Sequence, residues 1–87
     1  MYAVVVYDVA VERIDGVRQL LRQYLNWVQN SAFEGDLSEA TVEELKVRLR
    51  ELIHENVDSV LIYTVSDRRW IRRSVLGIEK GGLSELV

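Results

Sequence analysis

Tyr2 to Tyr7 is an unbroken apolar run that ends at Asp8. Such a run reads as a strand buried on both faces in the middle of a sheet. Val17, Leu20, Leu21, Tyr24, Leu25 and Val28 then recur at steps of three and one, which is one helical stripe. Arg18, Gln19, Arg22, Gln23 and Asn26 take the opposite side, and the pattern predicts a helix from about Ile14 to Trp27. Residues 28–37 (VQNSAFEGDL) alternate as extended chain, with Gly35 at a bend. One bent strand and a tight hairpin both fit. Ser38 to Glu55 is the clearest helix. Ser38 is placed as its N-cap, Leu37 and Val42 as a hydrophobic staple, and Val42, Leu45, Leu49, Leu52 and Ile53 as its buried stripe. Asn56-Val57-Asp58 breaks it. Ser59 to Val65 (SVLIYTV) reads as a second central strand, Trp70 to Gly77 as a further strand, and Gly81-Gly82 as the opening of a tail.

Strand, helix, strand or hairpin, helix, strand, strand predicts an α+β, ferredoxin-like two-layer sandwich of βαββαβ type with an extra C-terminal strand. Residues 1–78 form the domain, and residues 79–87 form a tail or arm that docks on a partner subunit. Both helices carry a single apolar stripe, so they cover one sheet face. The central strands are apolar on both sides, and a symmetric homodimer resolves the mismatch by burying the second face.

Composition narrows the chemistry. At 87 residues the chain is one small domain, and burial in a dimer would help it. It has no Cys and a single His54, which removes disulfides, thiolate sites and paired-His chemistry. His54, in the last helical turn, reads as a surface or helix-end residue. No leader and no span-length apolar run is visible, so the expectation is a soluble cytoplasmic protein with no membrane partner. The net charge of −3 is unevenly spread: residues 57–87 hold five basic residues against four acids, and Arg68, Arg69, Arg72 and Arg73 fall within six positions. That cluster is the candidate for sequence-independent contact with a phosphate backbone, with Arg13 and Arg18 secondary. The ordinary alternative for Arg18 is a solvated helix face, and for the cluster it is solvation or pairing with acids of the second helix. Asp8, at the carboxyl end of a central strand, lies where α/β-type sheets place chemistry.

With these residues set out, the chain resembles the small CRISPR-associated adaptation family usually called Cas-two. Three blocks in the same order carry the resemblance: Val-Val-Val-Tyr-Asp at residues 4–8, Trp-Val-Gln-Asn-Ser-Ala-Phe-Glu-Gly-Asp-Leu at residues 27–37, and Asp58 to Tyr63 leading toward Gly77. It implies a ferredoxin-like homodimer whose sheets face each other, the C-terminal strand often completing the partner's sheet. It also implies metal-dependent endonuclease activity on single-stranded RNA or duplex DNA, and a central place beside the Cas-one integrase in spacer acquisition. By motif position the family's metal-binding and catalytic aspartate is Asp8, preceded by Tyr7. Its following arginine is Arg13, and Ser31 and Phe33 belong to its Ser-x-Phe-x-Gly block, where the bland role of Phe33 is core packing. Many members carry a basic residue where this chain has Trp27, which weakens a phosphate role there.

Two mechanisms follow. As a nuclease, two Asp8 carboxylates meeting at a dimer axis hold Mg²⁺ or another divalent cation, with no obvious general base beside them. As an adaptor, the arginines grip duplex DNA while the integrase performs the chemistry, and Leu83 to Val87 clip onto it. A small-molecule-binding regulatory domain is the third alternative on this fold, without a glycine-rich or ligand-shaped loop to support it.

Overall fold

The computed structural model describes residues 1–83. The elements are β1 (Tyr2–Asp8), α1 (Val11–Arg22), β2 (Asn26–Gln29), β3 (Ala32–Asp36), α2 (Glu39–Leu52) and β4 (Ser59–Val65). A 3-10 turn (Arg68–Trp70) and a short helical turn α3 (Lys80–Leu83) follow. The strands form one antiparallel sheet in the order β2-β3-β1-β4. Element order and sheet order together make the βαββαβ sandwich that the pattern predicts.

The core lies between the helices and one sheet face. Val5 and Tyr7 point into it with Phe33, Val17, Leu20, Leu21, Leu25, Leu45 and Leu49, all buried. Side chains alternate along a strand, so Val4, Val6 and Asp8 lie on the opposite face. Their register partners on β4 are Tyr63, Leu61 and Ser59. No helix covers that face, and Leu61 and Tyr63 are 50% and 61% exposed. The fold therefore leaves an apolar sheet surface with Asp8 at one end.

Several boundaries differ from the sequence reading. Residues 28–37 resolve as a hairpin: β2 and β3 join through Asn30, whose φ of 44° is one that asparagine tolerates, beside a register shift between Trp27 and Gln29. The first helix starts three residues early and stops at Arg22. Gln23 and Tyr24 donate backward to the Leu20 and Leu21 carbonyls, tightening the last turn, and Leu25 continues the apolar stripe as buried chain outside the helix. The second helix ends at Leu52; its Ser38 cap accepts from the Thr41 amide at 3.1 Å.

Two expectations are corrected. The Ser59 strand is an edge strand, because among the described residues it pairs with β1 alone. Its continuous apolar run reflects surface left bare in this chain rather than a second strand neighbour. The extra strand over Trp70–Gly77 is absent: Arg68–Trp70 make a 3-10 turn, and residues 71–79 run without sheet pairing. Ile71 has extended backbone angles, but it pairs with no strand among the described residues. Gly81 is buried in α3, where an added Cβ would run into the backbone carbonyl of Trp27, so the chain returns to the β2 edge. Of the predicted tail, residues 84–87 lie outside the described residues.

Candidate functional site

Asp8 is the last residue of β1, exposed, and opposite Ser59 in register. The hairpin turn reaches the same end, where the Tyr7 amide donates to the Ser31 carbonyl at 3.1 Å. Tyr7 and Phe33 stand behind Asp8 in the core, with ring centroids 6.4 Å apart. Burial raises the pKa of the Tyr7 phenol, and the positive charges of Arg18 and Arg22 pull it back. Those two arginines therefore lie on the helix side of the sheet near Tyr7, the face opposite Asp8. Arg18 is partly buried, and its Nε has no hydrogen-bond partner among the described residues.

Arg13 is placed differently from its expected phosphate role. Its Nε donates to Asp58 Oδ2 at 2.5 Å and its NH2 group to Asp58 Oδ1 at 3.0 Å. The side chains are 15% and 1% exposed. Asp58 also accepts the Ala10 amide at 2.9 Å and the His54 amide at 2.9 Å. The Arg13 guanidinium, then the His54 and Ala10 amides, hold the Asp58 carboxyl well below the usual carboxylate range against the opposing cost of burial. The sequence reading gave Asp58 no such role. A signal was present: Val9-Ala10-Val11 supplies no capping side chain, so the first helix needs an acceptor from elsewhere.

The other arginines gather at the far end of β1, about 20 Å from Asp8 by the rise of seven residues. The Arg68 guanidinium lies 5.7 Å from the Tyr2 ring centroid. Arg69 pairs with Asp67 at 3.0 Å, and Arg73 pairs with Glu34 at 3.2 Å and Glu79 at 2.5 Å. Arg72 is exposed and forms no ion pair among the described residues. The Tyr2 phenol donates to Glu34. These groups fasten residues 68–81 over the Tyr2 and Glu34 end of the sheet, leaving Leu61 and Tyr63 exposed, around a polar cavity of about 310 Å³ lined by Tyr2, Glu34, Arg68, Arg73 and Glu79. Within one chain the arginine cluster and Asp8 are thus two sites.

Asp8 offers a divalent cation a single exposed carboxylate. Among the described residues no three His, Cys, Asp or Glu side chains converge. Asp58 is close in the fold, but its carboxylate already accepts four hydrogen bonds. What remains is one free carboxylate per chain, which suits Mg²⁺, since that ion keeps waters and phosphate oxygens as its other ligands. Asp8 would hold the ion.

The model of the family described as "CRISPR associated protein Cas2" matches residues 1–73. The "CRISPR-associated endoribonuclease Cas2 2" of Archaeoglobus fulgidus is 54% identical over 93% of this chain and 88% of its own. The "CRISPR-associated endoribonuclease Cas2" of Pyrococcus furiosus is 51% identical over the full length of both. Among solved structures, one described as "Crystal structure of cas2" has a TM-score of 0.83 at 49% identity, covering 92% of this chain and 90% of that one. The Streptococcus pyogenes Cas2 structure has a TM-score of 0.77 at 34% identity, covering 88% of this chain and all of that one.

Proposed function

The chain belongs to the Cas2 family, and from that premise we propose that it works as a homodimer which binds nucleic acid and cleaves phosphodiester bonds with a divalent cation held between two Asp8 carboxylates. The observation that carries this reading is the bare sheet face. Val4, Val6, Leu61 and Tyr63 form an apolar surface, and Asp8 ends it on the same side of the strand. Stacking two copies about a two-fold axis buries the apolar residues and brings two exposed carboxylates toward one place. A bound cation there would supply charge neutralisation and an activated water at the phosphodiester.

The chain's own residues do the remainder. Asp8 from each copy holds the ion. Arg18, half-buried on the helix side, is a secondary candidate for backbone contact. Arg72 has no carboxylate partner, so it contributes more to backbone contact than Arg69 or Arg73. The printed names of the relatives specify endoribonuclease, which supports RNA as substrate.

Among the described residues no general base stands beside Asp8, a feature that favours slow turnover and a second, non-catalytic role. In that role the dimer is the scaffold that presents duplex DNA to the Cas-one integrase during spacer acquisition in the cytoplasm.

The reading is tested by incubating labelled single-stranded RNA and duplex DNA with purified protein, in Mg²⁺ or chelator, beside Asp8→Ala. The expected result is cleavage that disappears with chelator and with Asp8→Ala, while the dimer mass is kept. A mutant that cleaves at the wild-type rate rejects the nuclease reading. Salt-sensitive duplex binding that survives neutralisation of Arg68, Arg69, Arg72 and Arg73 rejects the scaffold contacts.

A further inference from the structure

We infer that Asp58 is the positioning residue of the Asp8 site, and that Arg13 serves Asp58 rather than the nucleic acid. The inference deepens the proposed metal reading and rests on it. Ala10 is two residues beyond Asp8 and is the N-cap position of α1, yet its side chain makes no cap. Its amide instead donates to a carboxylate 48 positions away. On its other side Asp58 accepts the His54 amide, in a turn that is itself closed by the Val57 and Asp58 amides on the His54 carbonyl. The residue after Asp58 is Ser59, the register partner of Asp8. One side chain thus ties the loop that leaves Asp8 to the turn that enters the strand beside it.

Arg13 completes the arrangement. Its fork occupies both carboxylate oxygens, fixing the plane of the carboxylate while the two amides approach it. With its side chain 15% exposed, Arg13 has little surface left for a phosphate, and leaving Asp58 would strand a buried charge. The negative charge also sits at the start of α1, where the helix dipole favours it. Asp58 is therefore to Asp8 what an outer-shell partner is to a metal ligand: it touches no reacting atom and determines where the touching group stands.

The test uses the full-length dimer with Arg13→Gln, Arg13→Lys, Asp58→Asn, the Arg13→Gln/Asp58→Asn double variant and Asp8→Ala as control. Mn²⁺ affinity is read by electron paramagnetic resonance of the free ion, well below each variant's melting temperature. The salt dependence of binding to a labelled single-stranded RNA is read by anisotropy. The expected result is Mn²⁺ binding weakened about 10-fold by Arg13→Gln and by Asp58→Asn, with the double variant no weaker than either, as for residues acting as one unit. Arg13→Lys, which keeps the charge and loses the fork, falls between. The salt slope of Arg13→Gln stays at the wild-type value.

A slope shallower by about 0.7, the share of one phosphate contact on a single strand, with Mn²⁺ affinity retained, overturns the inference and returns Arg13 to the nucleic acid. Lower melting temperatures with unchanged Mn²⁺ affinity overturn it too, leaving Asp58 as a structural clamp only. If Asp58→Asn does not fold, the two Arg13 variants decide by the same criteria. Equal Mn²⁺ binding by wild type and Asp8→Ala rejects the metal reading itself, a separate outcome.

Discussion

Asp58 and Tyr2 show what single residues carry in this protein. The folded chain releases the Asp58 proton at lower pH than the unfolded chain, which protonates near pH ~4. The stability the pair contributes is therefore complete at neutral pH and lost as pH falls below that value. Asn at position 58 has nothing to protonate. The melting-temperature gap between wild type and Asp58→Asn should narrow steadily from pH 4 to pH 2; a constant gap contradicts the assignment. Tyr2 titrates in the opposite sense. Burial first, then the hydrogen bond to Glu34, push its phenol up to about 12 from 10.0. Its contribution is complete below pH 10 and lost as pH climbs through about 12. Ultraviolet titration of Tyr2→Phe should lack the late tyrosinate step near pH 12, and an unchanged titration curve would remove the Glu34 contact from the account. Neither environment was legible in the sequence, because Asp58 meets Arg13 across 45 positions and Tyr2 meets Glu34 only through strand pairing. The apolar residues were legible. Phe33 sits in the core, fully buried beside Tyr7, and Phe33→Ala should lower unfolding free energy by about 3–5 kcal/mol in denaturant melts.

At the scale of elements, helical periodicity identified α1 and α2, because a stripe at three-and-four spacing has one structural solution. Their ends were less legible, since Leu25 continues the stripe after the helix has stopped. The runs in β1 and β4 are both apolar on two faces, and a run cannot record what buries it. In β1 the neighbours are β3 and β4; in β4 one edge and one face remain open. Residues 70–77 have strand-like composition without a strand partner, so composition misled. The return of the chain to β2 depends on Gly81, where a side chain would meet backbone rather than a movable group. Gly81→Val should detach α3, seen as faster amide exchange over residues 79–83 with β1 and β3 protection unchanged. Retained protection in the variant would contradict that packing.

The whole molecule is a two-layer sandwich with one sheet face left uncovered by α1 and α2. Its helices cover one sheet face, and Leu61 and Tyr63 remain on the other with Asp8 at the end of the same surface. The functional site was legible in part for this reason: Asp8 could be found from one chain, whereas the second ligand of the proposed metal site would come from a second copy. Leu61→Arg on this face should shift the sedimentation mass from twice 10.1 kDa to 10.1 kDa, and an unchanged dimer would move the interface elsewhere. The measurement that tests the central claim most directly is the stoichiometry of tight Mn²⁺ binding to the dimer. The account predicts one ion per two chains, abolished by Asp8→Ala. One ion per single chain, or binding that persists in Asp8→Ala, would contradict a metal shared between two Asp8 carboxylates.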